Sequence, residues 1–240
     1  MIATDHQIMI AAEIALREYP RECVVAFKKS GGAEKLDNVA INPESEFAVN
    51  PARWAEIAGG TAVLVHSHPD GPDYPSEADM RTQVALGVPF GIIMATAQGA
   101  GGYFEFGGDA LDLLERPFRH GVTDCYALIK DYYLAELGID VPEYPRAWEW
   151  WLQGGNLYED NTQEVGFKRI DISDATPGDM LTFSIRGKVC HAGVYLGDGL
   201  MLHHLGGNKG YDASRKPLKE PIGRWERLIA GVYRHTGKDK

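Results

Sequence analysis

Residues 61–79 read TAVLVHSHPDGPDYPSEAD, and the character of the first half of the chain follows from them. The run 61–65 is apolar and rich in β-branched residues, which predicts a buried strand leading into His66. Strand side chains alternate between faces, so His66 and His68 leave the same face and two imidazoles can converge on one metal ion. The turn-forming residues 70–75 then bring the chain back, and a helix is expected over 76–86 with Asp79 in its first turn. Two nitrogen donors and one oxygen donor leave a fourth tetrahedral position open, the pattern of a catalytic rather than a structural zinc. The spacing Ser76-x-x-Asp79 equally fits a capping box, in which a serine hydroxyl serves helix amides and implies no catalysis. A base for the water proton is still required. Glu22, at the edge of a strand expected over 23–27, is the candidate, and alternation places Cys23 on the opposite face.

Around this stretch, apolar positions at helical spacing (Ile8, Ala11, Ala12, Ala15) predict an amphipathic helix over 5–18 that stops before Pro20. Further strands are expected at 39–42, 47–50, 90–96 and 102–106, the last at an edge, with a brief helix at 51–58. The result is an α/β layered first domain.

The second half follows another plan. A helix is expected from Thr123 to Leu137, closed by Gly138, with Cys125 in its first turn and Thr123 or Asp124 as its cap. Unpaired amides and the helix dipole at that position favour a thiolate and can receive an oxyanion. Residues 142–166 read as a long loop. Its Trp148-Glu149-Trp150-Trp151 cluster is expected to pack beneath the loop. Strands at 180–185 and 189–196 flank a short turn at 186–188, a hairpin signal, and two more lie before His203 and over 228–233. Helix followed by antiparallel strands makes an α+β domain. In the strand 189–196, alternation puts Cys190, Ala192 and Val194 on an apolar face and His191 on the other, so Cys190 reads as core and His191 as the exposed partner of a nucleophilic cysteine. His203 and His204 are equally available as the group that orients it.

Composition bounds these readings. The net charge of −10 lies entirely in the first half: residues 1–115 hold 7 Lys and Arg against 17 Asp and Glu, whereas residues 116–240 hold 17 of each. That shift places a domain boundary near Arg116, giving 1–112 and 113–240, and argues against nucleic acid as a partner of the first domain. Three scattered cysteines cannot form a disulfide framework. The N-terminus lacks a basic, apolar export signal and no run is long enough to span a membrane, so neither a cleaved signal nor a membrane anchor is expected.

The set formed by Glu22, His66-Ser67-His68-Pro69 and Ser76-x-x-Asp79 resembles the JAMM metallopeptidase family over roughly residues 1–110. The resemblance implies His66, His68 and Asp79 as ligands of Zn2+, Glu22 as general acid/base for the activated water, and Ser76 as donor to the developing oxyanion. From about 116 to 235, the segments TDCYALI, HAGVYLGDG and LHHLGG resemble the NlpC-type cysteine peptidases, which implies a papain-like α+β fold. By that match Cys125 is the nucleophile, His191 the general base, and His203 rather than His204 the orienting residue. Pro177-Gly178-Asp179 matches the family's entry to its first strand and reads as a turn. A JAMM domain directly ahead of an NlpC-type domain resembles tail-tip assembly proteins of long-tailed phages. That implies a bifunctional hydrolase with peptidoglycan stem peptides and other phage tail-tip proteins as partners. It also implies residence in the host cytoplasm during assembly, then at the virion tail tip or in the host periplasm on entry. A different class of reading is a structural tail component that binds without turnover, which gives no chemical reason for Glu22 and Cys125 to be present together with their partners; a protease that trims tail proteins is the other alternative.

Overall fold

The computed structural model describes residues 1–109, 112–207 and 212–238, which fall into two compact units, Met1–Asp109 and Ala110–Lys240. Residues 112–116 belong with the second unit because Arg116, fully buried, donates to the Asp112 carbonyl and pairs with Asp131 at 2.6 Å.

The first unit runs α1 (Asp5–Glu18), β1 (Val24–Lys28), β2 (Ala33–Leu36), α2 (Pro51–Ile57), β3 (Thr61–Pro69), α3 (Glu77–Leu86), β4 (Phe90–Thr96) and β5 (Gly99–Phe106). Its sheet has the order β2-β1-β3-β4-β5, with β3 and β4 parallel and α3 as their crossover. Thr4 caps α1 through a capping box with Gln7, and the helix lays Ala11 and Ala15 on Val25 and Phe27, Val63 and Val65, Ile93 and Ala95. Alternation then turns His66 and His68 of β3 to the other sheet face. The expected strands at 39–42 and 47–50 are absent, and β2 takes their place in the sheet. The reason is Asn38. Its side chain accepts from the Ala40 and Ala48 amides and donates to the Glu22 and Glu46 carbonyls, replacing a backbone ladder with a side-chain one.

The second unit runs α4 (Cys125–Leu137), α5 (Leu157–Asn161), β6 (Phe167–Ile170), β7 (Met180–Ile185), β8 (Lys188–Gly197), β9 (Leu200–His203), β10 (Leu218–Pro221) and β11 (Ile229–His235). The antiparallel sheet has the order β10-β9-β8-β7-β11-β6. Asp124 caps α4, accepting from the Ala127 amide at 3.0 Å, and Gly138 ends the helix with φ of 65°. Tyr126, Ile129 and Tyr133 of α4 pack on Met180, Ala192 and Val194; a second layer of Leu181, Phe183, Met201 and Trp225 forms on the other face. At the turn 177–179, Gly178 has φ of 91° and Asp179, fully buried, accepts from the Thr176 amide and pairs with Arg234 and Lys238. No helix among the described residues is long and apolar enough to cross a membrane.

The predicted face of Cys190 is corrected. Phe183 pairs with His191 but Ser184 pairs with Val189, so Cys190 is the extra residue of a β-bulge. Val189 rather than Cys190 joins Ala192 and Val194 against α4, and Cys190 is half-buried.

Candidate functional site

Two clusters of chemically able side chains emerge, one in each unit. In the first, His66 Nε2, His68 Nε2 and one oxygen each way of Asp79 meet: 3.2 Å between the histidines and 3.3 Å from each histidine to the carboxylate. Donors bonded at ~2.0–2.1 Å to a tetrahedral ion stand about 3.3–3.4 Å apart; the two histidines have that spacing, and each faces a different oxygen of Asp79. His68 Nδ1 lies 2.9 Å from the Pro72 carbonyl. A carbonyl only accepts, so the proton sits on Nδ1 and the Nε2 lone pair is left for a cation. His66 is fully buried, stacked on Phe47 with ring centroids 4.3 Å apart, and burial pushes its pKa below the ordinary range, which keeps it a neutral donor. Burial acts to raise the pKa of Asp79, but the facing histidines outweigh it and hold the carboxyl well below its usual range. His66, His68 and Asp79 could therefore hold a metal ion.

Glu22 completes the cluster. Val24 pairs with His66 across β1 and β3, so the continued register sets Glu22 opposite His68 on the same face. The irregular loop 37–50 holds it there: the Glu22 amide donates to the Pro43 carbonyl at 2.6 Å. Glu22 is 5% exposed, and its Oε2 is buried without a hydrogen-bond partner. Burial, opposed by His68 and assisted by the Asp79 carboxylate, pushes its pKa up to about 8. Ser76 occupies the capping position. Its hydroxyl donates to Asp79 Oδ2 at 2.7 Å and accepts from the Asp79 amide at 3.1 Å. The hydroxyl is thus engaged with the metal-facing carboxylate, and donating to an oxyanion would require it to leave that bond.

In the second unit, Cys125, His191, His204 and Cys190 line one cavity of about 420 Å³. Trp148, Trp150, Trp151 and Tyr158 form its aromatic wall, so the tryptophan cluster borders open space instead of only packing beneath its loop. His191 is 2% exposed, not the exposed residue that alternation predicts, and it packs against the rings of Phe183 and Trp225, which also touch each other. Its Nε2 is 2.8 Å from His203 Nδ1, and His203 Nε2 is 2.8 Å from Glu220 Oε1. The structure thus separates the two adjacent histidines: His203 bonds to His191, whereas His204 turns its Nε2 to the Arg215 carbonyl at 3.1 Å. Gly193 makes the first contact possible. A Cβ there would lie 2.9 Å from His203 Cβ and 2.9 Å from the Leu202 carbonyl oxygen.

The Cys125 thiol bonds to Tyr158 Oη at 3.2 Å and makes no hydrogen bond to His191. Burial, reinforced by the Asp124 carboxylate, pushes the thiol up to about 12. Burial and His203 press His191 well below its usual range. The resting pair is therefore a neutral thiol and a neutral imidazole, against the thiolate expected from the helix start alone. Asp124 is itself neutralised by Arg146, whose Nε and terminal nitrogen donate to its two oxygens at 2.9 and 2.8 Å. Tyr158, Arg146, Glu220 and Trp225 carry no motif in the sequence. Trp-rich and charged loop positions are common, and only tertiary contact joins these four to the site.

Comparison with known proteins finds one family for each part of the chain. A family model described as prokaryotic homologs of the JAB domain matches residues 6–105, and the NlpC/P60 family model matches residues 101–221. The chain is 37% identical over 191 residues to the tail tip assembly protein K of Escherichia phage lambda, covering 78% of this chain and 89% of that protein. It is 33% identical over 235 residues to the tail tip assembly protein K of Escherichia phage N15, covering 92% and 90%. Solved structures that overlap include the NlpC/p60 domain of the peptidoglycan hydrolase SagA, at 17% identity over 51% of this chain and 89% of that one with a TM-score of 0.35. An NlpC/P60 family protein from Bacillus cereus overlaps at 16% identity over 93% and 66%, with a TM-score of 0.36.

Proposed function

The chain belongs to the family of phage tail tip assembly proteins in which a JAB-like domain precedes an NlpC/P60 domain, and from that membership we propose that its second unit cuts peptide bonds in peptidoglycan stem peptides. The observation that carries the proposal is the shared cavity of Cys125 and His191 together with the 2.8 Å bond that ties His191 to His203. His191 takes the thiol proton as Cys125 Sγ attacks the scissile carbonyl carbon. It returns that proton to the leaving amine as the carbon–nitrogen bond breaks, and water then hydrolyses the thioester. Amides at the start of α4 would receive the oxyanion. The neutral resting pair suits a site that stays quiet until substrate fills the cavity and brings thiol and imidazole together.

The first unit is proposed as a second hydrolase that takes zinc on His66, His68 and Asp79. When bound, the ion would supply Lewis acidity for the hydrolysis of an amide. Glu22, buried with an unpartnered oxygen and a raised pKa, is suited to hold and pass a proton at Oε2. His68, oriented by the Pro72 carbonyl, and Asp79, oriented by Ser76, keep the donor set rigid. The protein would be made in the host cytoplasm and act at the tail tip or in the periplasm on entry, alongside other tail-tip proteins.

The test is digestion of Gram-negative sacculi and soluble stem peptides with the full chain, the fragments being identified by mass spectrometry. The expected product carries a new amino terminus on the diamino acid with no sugar release. Cys125→Ala abolishes it and chelation leaves it intact. Survival of both substrates, with Cys125-dependent trimming of a co-expressed tail protein, would replace wall cleavage by assembly proteolysis.

A further inference from the structure

We propose that Glu220, on edge strand β10, is a positioning residue that sets where the protons lie on His203 and His191. The inference rests on the reading of Cys125 and His191 as a nucleophile and its base, and adds a member that no motif marks.

Strand register puts the three groups on one face. His203 of β9 pairs with Gly193 of β8, so His191, two residues from Gly193, is its diagonal neighbour. On the other side His203 pairs with Leu218 of β10, and Glu220 stands two residues on. The side chains close both diagonals, at 2.8 Å between His191 Nε2 and His203 Nδ1 and 2.8 Å between His203 Nε2 and Glu220 Oε1.

An ionised carboxylate only accepts hydrogen bonds, and that fixes the rest. His203 must carry its proton on Nε2 to donate to Glu220. Its Nδ1 is then bare and must accept, so His191 carries its proton on Nε2. The His191 Nδ1 edge is consequently bare, the form required to take a thiol proton, and His191 lines the cavity that Cys125 lines. When His191 takes that proton it becomes an imidazolium. The proton stays on His191, Glu220 stays ionised, and the added charge is felt through the His203 bridge.

Glu220 is equipped to remain a carboxylate. Burial acts to raise its pKa, but hydrogen bonds from Arg224 and Trp225 and the facing His203 outweigh it and hold the carboxyl below its usual range. Trp225 Nε1 donates to the same Oε1 at 2.8 Å, and Arg224 pairs with Oε2. The Trp225 ring also packs against both histidines, with centroids 5.0 Å from His203 and 5.7 Å from His191, which restrains their rotation. A surface ion pair with Arg224 alone would give Glu220 no reason to direct Oε1 at the buried rings of His203 and Trp225.

The test uses the full chain and needs no cell-wall substrate. Isotope-labelled histidine NMR, near neutral pH, reads the tautomer of each ring, and timed iodoacetamide labelling with peptide mapping reads the Cys125 rate. The wild type should show both His203 and His191 protonated on Nε2. In Glu220→Gln the neutral amide can donate or accept, so both rings should become tautomer mixtures and Cys125 labelling should slow about tenfold, equivalent to one pKa unit in the base. Glu220→Asp should restore the wild-type tautomers in part. A wild-type His191 protonated on Nδ1 overturns the proposal without any variant. Unchanged tautomers and rate in Glu220→Gln, with slowed labelling in His191→Ala, overturn it while the peptidase reading stands. Labelling unaffected by His191→Ala removes that reading and this inference together.

Discussion

Replacing Arg146 by Met should destabilise the second unit by about 4 kcal/mol near neutral pH. Arg146 is 3% exposed and Asp124 4% exposed, and the two form a two-pronged pair at 2.8 and 2.9 Å beside the nucleophile. Met fills much of the volume but leaves Asp124 charged and buried. The carboxyl can escape only by taking up a proton. Neutralising an aspartate of ordinary pKa about 3.9 at pH ~7 costs roughly three units at about 1.36 kcal/mol each, which caps the loss near 4 kcal/mol. Single removals from buried pairs cost about 3–5 kcal/mol, the same range. Asp124 Oδ2 and Oδ1 also accept from the Gly121 and Ala127 amides, so the start of α4 loosens with the pair. Urea unfolding followed by tryptophan fluorescence reports on this unit, because Trp148, Trp150, Trp151 and Trp225 lie in it and only Trp54 in the other. The pH dependence has a definite sign. Burial acts to raise the pKa of Asp124 but Arg146 outweighs it, so the folded pKa is depressed. The stability this contributes is full above the ordinary carboxylate range and is lost as pH falls towards the folded value. The deficit of Arg146→Met should therefore narrow between neutral pH and about pH 4. The double variant with Asp124→Asn should recover part of the loss. A single-variant loss under about 1 kcal/mol, or a double no better than the single, would refute the reasoning.

Purified protein should contain about one zinc per chain by elemental analysis. His66→Ala and His68→Ala should lose it, whereas Glu22→Gln should keep the metal and lose any zinc-dependent turnover; full zinc in both histidine variants would sink the assignment. Brief iodoacetamide treatment should label Cys125 and Cys190, which share the cavity, and spare Cys23, which is 1% exposed and opens on no cavity with them. Equal labelling of all three in folded protein would contradict this. Gly193→Ala should cost about 1–3 kcal/mol of stability and slow Cys125 labelling, since the new methyl meets a backbone carbonyl that cannot yield; a melting temperature and labelling rate both unchanged would show that His203 has room to move. Fragments 1–109 and 110–240, which keep the Asp112–Arg116 bond in the second unit, should each unfold cooperatively, and circular dichroism melts that are featureless for both would show one interdependent core.

Local patterns carry information when the group that matters is near in sequence, or when alternation and helical period relay it. His66, His68 and Asp79 were legible for that reason: a strand, a turn and a helix start lie within nineteen residues, and short-range geometry alone brings their donors together. Periodicity leaves His203 and His204 equivalent, the family resemblance favours His203, and in the structure it is His203 that bonds to His191. The strand expectations at 39–42 and 47–50 failed because one side chain, Asn38, competes with the ladder, an effect that composition does not reveal. The face of Cys190 failed because a single bulged residue shifts the alternation on which the inference depended. Glu220, Arg146 and Tyr158 were invisible for a different reason. Each reaches its partner across 17 to 33 residues of chain, through register and loop closure. Burial was likewise decided only by the tertiary structure. It turns the helix-start cysteine from an expected thiolate into a resting thiol, because the desolvation cost of a charge depends on what packs around it and not on the residues beside it in the chain.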